Sequence, residues 1–176
     1  MLQSTTKAGM PVESVIRDLT AYNLWANKKI VDWLISKSGE IRDIEVPTGF
    51  SSINMTLLHI WGIQEWWLGN LRLQPTGPAY TYGKLYSGSS GELFDGITRQ
   101  SELFVEYVQS LNEALLQEEC LFNIPAIGEF NRRRYEIIQH CMHQCTWHRG
   151  QVVSIGRRLG LTDAPGINYM FFCLLS

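Results

Sequence analysis

Residues 134–159 of this chain, RYEIIQHCMHQCTWHRGQVVSIGRRL, decide its fold. Apolar or weakly polar side chains recur in this stretch every three or four residues, which is the spacing of one face of an α-helix. That face consists of Ile138, Cys141, Cys145, His148, Val152, Ile155 and Leu159. Gly160, a residue type common at helix ends, follows directly. The stretch therefore predicts a helix from about Arg134 to Leu159 that carries a histidine on its buried face.

Three other segments show the same periodicity. They run from just after Pro11 to about Ser38, from Ser51 or Ser52 to about Leu73, and from about Gly91 to Gln117. Each helix needs a partner for its apolar face, and four long helices cover one another when they pack side by side. The sequence therefore predicts an all-α fold, an antiparallel four-helix bundle in which residues 1–176 form a single domain.

The connections between these helices also carry signals. A Gly- and Pro-rich stretch from Gln74 to Ser90 predicts a long loop between the second and third helices. A short piece from Cys120 to Arg132 contains Pro125 and Gly128, which indicates a turn or small hairpin before the last helix. The apolar tail after Leu161 is expected to pack back on the bundle, and all six tryptophans are expected to fill the core.

Composition excludes several classes of protein. The 176 residues are 45% hydrophobic and 18% charged, with a net charge of -2, which is typical of a globular chain and not of one that coats nucleic acid. No apolar run is long enough to span a membrane, and the N-terminal residues lack the apolar core of a signal peptide. The four cysteines form no CxxC pair and no disulfide framework. We expect a cytoplasmic protein that binds no membrane.

The common catalytic motifs are missing from the sequence. It contains no GxxxxGK[ST], GxGxxG, HExxH or GxSxG motif, which argues against phosphate-loop, dinucleotide-binding, zincin and nucleophile-elbow chemistry. It also lacks the Glu-x-x-His pair of ferritin-like di-iron sites. The arginine run Arg132–Arg134 is more typical of a solvated face or an acidic partner's contact than of DNA binding, so nucleic acid is not expected as a partner.

Two histidines remain as candidates for a metal site. His59 lies in the middle of the second predicted helix, and His148 lies on the buried face of the last one. A third protein ligand is needed if the metal is to keep an open position for water or substrate. Helix geometry disfavours His140, His143 and Cys141, because they lie too far along the axis or point away from His148. Gln144 and Cys145 both remain possible, the first better placed and the second a stronger ligand type.

Three stretches carry a resemblance to a known family. HCMHQCTWHRGQVVSIGRRLGL (140–161), TLLHIWGIQEWWL (56–68) and YNLWANKKIVDWL (22–34) resemble the last, second and first helices of the DinB/YfiT-like metalloenzymes. The resemblance implies an up-down-down-up four-helix bundle with a divalent metal, Zn or Ni, held by three histidines. Two of them match His59 and His148, and the third falls on Gln144, with His143 beside it. The implied activity is that of a thiol-dependent transferase or isomerase, or a hydrolase, using a low-molecular-weight thiol.

Glutamine at position 144 changes what the resemblance implies. A neutral amide oxygen is a poorer ligand than imidazole for Zn or Ni, so the sequence predicts a weakened metal site formed by His59, Gln144 and His148. Gln151 is expected to hydrogen-bond the second nitrogen of His148 and to contribute to cofactor binding. The alternative is a non-catalytic bundle that binds a small molecule or a protein partner.

Three further expectations concern packing. Arg149 is expected to form an ion pair or to cap a helix. Gly150 is expected to mark a close contact between helices, since glycine is costly in the middle of a helix. Trp61 lies nearly opposite Trp66 and Trp67 around the second helix, which leaves the first two helices with surplus apolar surface and predicts a homodimer.

Overall fold

The computed structural model describes residues 11–47, 49–74 and 87–175. In chain order its elements are α1 (Val12–Ile35), α2 (Gly39–Asp43), α3 (Ile53–Leu71), α4 (Ser90–Gln109), α5 (Glu113–Gln117), β1 (Glu119–Ile124), β2 (Gly128–Arg133), α6 (Arg134–Arg158) and α7 (Tyr169–Leu175). The long helices α1, α3, α4 and α6 pack around one apolar core, so the prediction of an all-α bundle is confirmed. Within the described residues, no helix is both long and apolar enough to cross a membrane.

Side-chain caps fix where α3 and α4 begin. The Ser52 hydroxyl accepts a hydrogen bond of 3.2 Å from the Met55 N–H at the start of α3, as the sequence predicted. Ser89 and Glu92 form a reciprocal capping box at the start of α4. Gly160 has a φ of 86°, a conformation that favours glycine and ends α6. These local signals place the helix ends within a few residues of the predicted ones.

The third predicted helix is interrupted, which corrects the expectation of one helix from Gly91 to Gln117. α4 ends at Gln109, and the Asn112 side chain accepts a hydrogen bond of 2.9 Å from the Leu115 N–H, which starts α5 as a separate helix. Asparagine competes well as a helix cap, because its side chain replaces a backbone acceptor. The apolar repeat runs on through the break because Leu111 and Leu116 are both buried.

The predicted hairpin before the last helix is present. β1 and β2 pair in antiparallel register, with Phe122 opposite Phe130. Alternate residues of β1, Cys120 and Phe122, are buried, so this strand covers the ends of α3 and α6 with one face. The hairpin therefore packs on one end of the bundle.

The C-terminal tail packs only in part. Phe172 in α7 contacts the rings of Tyr22 and Trp25 at centroid distances of 5.9 and 5.8 Å. The large side chains on the rest of α7 are exposed: Met170, Phe171, Leu174 and Leu175. Within the predicted loop from Gln74 to Ser90, residues 75–86 lie outside the described part of the chain.

Two expectations about tight packing are wrong. A side chain added at Gly150 would meet nothing within 4 Å, whereas one at Gly156 would lie 2.6 Å from the Trp33 ring. Gly156 is therefore the residue of α6 at which a neighbouring helix approaches closely. Trp147 was expected in the core but is 66% exposed, because it projects from the outer side of α6.

The arginine run also differs from the solvated face that was expected. Arg132 and Arg133 are exposed, but Arg134 is half-buried. Its guanidinium donates hydrogen bonds to the carbonyl oxygens of Leu115 at 3.0 Å and Leu71 at 2.9 Å. Arg134 thus ties the start of α6 to the ends of two other helices.

Candidate functional site

The imidazole rings of His59 and His148 meet between α3 and α6. Their centroids are 4.5 Å apart, and the rings contact edge to face. Eight residues along each helix, Trp67 and His140 form a second ring contact at 5.2 Å. The paired residue numbers run in opposite directions, so the two helices are antiparallel and bring both histidines to the same level of the bundle.

Gln151 fixes the orientation of His148. Its side-chain oxygen lies 2.8 Å from Nδ1 of His148, one helical turn away. In the tautomer in which Nδ1 donates to this oxygen, the lone pair of the ring lies on Nε2. A histidine held in this way presents a basic nitrogen in a fixed direction, which is the arrangement usual for a metal-ligating histidine.

Both rings are uncharged near neutral pH. Burial, reinforced by the charge of the neighbouring His148, lowers the pKa of His59 from 6.5 to about 4. Burial also lowers the pKa of His148, although its hydrogen bond with Gln151 acts in the opposite direction. A neutral imidazole has a lone pair to donate, so two such rings suit a divalent metal of the Zn type.

Two aromatic rings surround this pair and were not identified from the sequence. Phe50, in the loop before α3, stacks on His59 at a centroid distance of 4.2 Å and contacts the edge of His148 at 5.3 Å. Trp147 lies nearly parallel to the His148 ring at 6.3 Å. Phe50 falls outside every periodic segment, so no pattern in the sequence could have placed it there.

The two candidates for a third ligand occupy different environments. Gln144 is half-buried one turn before His148. Cys145 is fully buried in the core and lies beside Cys141, whose pKa is raised by burial and by its hydrogen bond to Cys145. Among the described residues no three His, Cys, Asp or Glu side chains group closely enough to hold a metal ion. His59, His148 and Cys145 therefore form no such group, and the Cys145 thiol lies in the core.

The two remaining histidines lie elsewhere, which agrees with the helix geometry. His140 contacts Trp67 under the hairpin, and His143 is exposed on α6. The structure brings the two imidazole rings together, and Gln144 lies one turn before His148 on α6. Imidazole is a good ligand type for Zn or Ni, and an amide oxygen is a poorer one.

Arg149, the neighbour of His148, is a fully buried cation with 0% exposure. Its guanidinium donates to the side-chain oxygens of Asn23 and Asn27 at 2.5 and 2.9 Å and to the Thr146 hydroxyl at 2.8 Å. Across the described chain no carboxylate lies within ion-pair distance of it. The expectation of an ion pair or a cap is therefore wrong, because neutral amide and hydroxyl oxygens take the place of a carboxylate.

Comparison with known proteins identifies the family. The model of the DinB family matches residues 1–173. Protein DinB of Bacillus subtilis (strain 168) is 24% identical over 152 residues, which are 84% of this chain and 87% of that protein. A crystal structure of a DinB-like protein from Bacillus cereus ATCC 10987 matches with a TM-score of 0.67 at 21% identity, covering 84% of this chain and 92% of that one. This chain therefore belongs to the DinB family, and the resemblance seen in its sequence is confirmed.

Proposed function

We propose that this chain is a metal-dependent enzyme in which His59, His148 and Gln144 hold a divalent Zn or Ni ion. The observation that supports this most directly is the contact of the two neutral imidazole rings at 4.5 Å. Burial of these two rings is unfavourable for ring nitrogens that lack a hydrogen-bond partner, although Nδ1 of His148 is paired with Gln151. A shared metal ion is such a partner.

Each residue would have a distinct part in this site. The two imidazoles would supply the strong ligands, and the Gln144 side-chain oxygen would supply a weak one. Gln151 would hold His148 in its ligating tautomer and stay next to any bound cofactor. A divalent ion bound there would lower the pKa of a coordinated thiol or water. The coordinated thiol suits a transferase that uses a low-molecular-weight thiol, and the coordinated water suits a hydrolase.

Metal binding by purified, untagged protein tests the proposal. We expect elemental analysis to find Zn or Ni, and calorimetric titration of the apo protein to show one site. His59→Ala and His148→Ala should each weaken binding at least about tenfold, since each removes a ligand. His143→Ala is the matched control, because it removes an exposed histidine from the same helix. Equal losses in all three variants would mean that surface histidines bind the metal, and the proposal would be wrong.

A second candidate function has its own support. Within the described residues, His, Cys, Asp and Glu side chains form no group of three that could hold a metal. This favours a non-catalytic member of the family that binds a small molecule or a protein partner. Protein that holds no metal after growth with added Zn and Ni, and that shows no heat of binding with either, would select this function over the first.

We also infer that the chain forms a homodimer, but the surface involved differs from the one first expected. Trp61 of α3 is half-buried within the chain, where it packs against Gly96 of α4. The exposed apolar surface lies instead on α7, at Phe171 and Leu174 among others. Light scattering should give twice the chain mass of 20.2 kDa, and Leu174→Ser should return it to one chain. A single-chain mass at high micromolar concentration would count against the dimer.

A further inference from the structure

A cavity of about 330 Å³ lies under the hairpin, between β1, β2, α3 and α6. We call it the hairpin pocket; its walls include Trp67, Phe122, Ile124, Phe130, Ile137 and His140. Its volume is at the lower end of the range found for sites that bind small molecules. A mostly apolar cavity with a few polar groups at its rim is the usual form of such sites.

The walls of the hairpin pocket are flat rings held at fixed angles. Trp67 contacts the rings of Phe122 and His140 edge to face, each at a centroid distance of 5.2 Å. Phe122 stacks with Phe130 on the facing strand at 5.9 Å. Each of these rings therefore contacts another ring. The cavity that they line has planar walls. Such a cavity favours an aromatic or similarly flat ligand.

One cation stands at the rim of the hairpin pocket. Arg132 is exposed, and its Nη1 donates to the carbonyl oxygen of Asn131 at 2.9 Å. No carboxylate among the described residues lies within ion-pair distance of its guanidinium. Glu136 also lines the pocket, but its Oε2 accepts a hydrogen bond of 3.0 Å from the Arg133 N–H and is directed at the start of α6. The guanidinium of Arg132 is therefore free to pair with an acidic group on a ligand.

The hairpin pocket is separate from the histidine pair. Trp67 and His140 each lie eight residues from His59 and His148, which is about 12 Å along the helix axes. The hairpin pocket takes its shape from Phe122 and the other hairpin residues, none of which contacts that pair. Its occupancy consequently does not depend on whether His59 and His148 bind a metal.

We propose that the hairpin pocket is a binding site for a flat, apolar molecule that carries one acidic group. The apolar part would lie against Trp67 and Phe122, and the acidic group would pair with Arg132. The ligand class is thus an aromatic carboxylate, sulfonate or phosphate of small size, which matches the cavity volume of about 330 Å³.

A pair of fluorescent probes tests both parts of this proposal. Anilinonaphthalene sulfonate combines apolar aromatic rings with one acidic group, and N-phenylnaphthylamine has the same rings without the charge. We expect the wild-type chain to bind one sulfonate probe per chain. Arg132→Gln should weaken binding of the sulfonate probe about fivefold and leave binding of the neutral probe unchanged, because it removes only the charge pairing. Arg133→Gln is the matched control, since it makes the same change in the next residue, outside the pocket.

The place where the probes bind is tested separately from the charge pairing with Arg132. Ile124→Trp should fill the cavity and abolish binding of both probes. Should this variant not fold, methyl NMR of the wild-type chain answers the same question, because Ile124 and Ile137 line the pocket and their methyl signals should shift on probe addition. Probe-induced shifts confined to Leu174 and Leu175 in α7 would overturn the proposal. Equal effects of Arg132→Gln and Arg133→Gln would overturn the assignment of an acidic ligand.

Discussion

Arg149 and Asn27 join α6 to α1 by a hydrogen bond of 2.9 Å between the guanidinium and the side-chain oxygen. The amide of Asn27 then donates to the Ser101 hydroxyl on α4 at 2.9 Å, and that hydroxyl donates to the Gln64 side chain on α3 at 3.0 Å. All four long helices therefore share one buried polar network. Because a buried polar group without a partner is costly, this network penalises any other register of the four helices.

Removal of the guanidinium should destabilise the bundle strongly. Arg149→Met fills a similar volume but leaves the side-chain oxygens of Asn23 and Asn27 and the Thr146 hydroxyl without their donor. We expect a loss of about 2–4 kcal/mol in the free energy of unfolding, measured by urea denaturation, because each buried group left unpaired is costly. Arg158→Met, an exposed change on the same helix, should cost less than about 0.5 kcal/mol. Similar losses for both variants would show that the network contributes little.

Two glycines on α6 should respond in opposite directions to alanine. Gly150 faces open space, so Gly150→Ala should raise the free energy of unfolding by about 0.5–1 kcal/mol through helix propensity alone. Gly156→Ala would bring a methyl group to 2.6 Å from the buried Trp33 ring and should lower it by about 1–3 kcal/mol. Thermal unfolding of the two variants measures both effects. A destabilised Gly150→Ala protein would contradict the open environment of that residue.

Much of the fold was predictable because its signals are local. The apolar periodicity of α1, α3 and α6, the cap at Ser52 and the stop at Gly160 all lie within a few residues of what they determine. The break between α4 and α5 was missed because the apolar repeat continues through it, and a single residue, Asn112, starts the second helix. The exposure of Trp147 was missed because it depends on which side of α6 the other helices occupy.

Only those residues of the candidate site that lie on long helices could be predicted from the sequence. His59 and His148 were identified because they lie on the inner faces of two long helices. Phe50 lies in a loop, and its position over His59 is set by the path of the chain before α3. The burial of Arg149 could not be predicted from the sequence either, because the asparagines that accept its hydrogen bonds lie more than a hundred residues away along the chain.

The protonation of His59 should make stability depend on pH. Its pKa is about 4 in the folded chain and near 6.5 when unfolded, so between these values the unfolded chain binds more protons. The free energy of unfolding should therefore fall as the pH is lowered from 7 towards 4. The free energy of unfolding of the His59→Gln variant should fall less steeply over the same range. Urea denaturation at pH 7 and pH 5 measures the difference, with His143→Gln as an exposed control. A His59 ring signal that titrates near 6.5 in NMR would contradict the lowered pKa.

The strength of the metal site should depend on residue 144. Gln144→His places an imidazole one turn before His148, and since Gln144 is only half-buried, the bundle should accommodate the ring. We expect the affinity for Zn and Ni to rise at least about tenfold, because imidazole replaces a neutral amide oxygen as the third ligand. Cys145→Ala should leave the affinity unchanged, since that thiol is buried in the core beside Cys141. Calorimetric titration of the three apo proteins makes the comparison. If Gln144→His brings no gain, the two histidines and residue 144 do not share one metal; a loss in Cys145→Ala would instead mean that the thiol reaches the site.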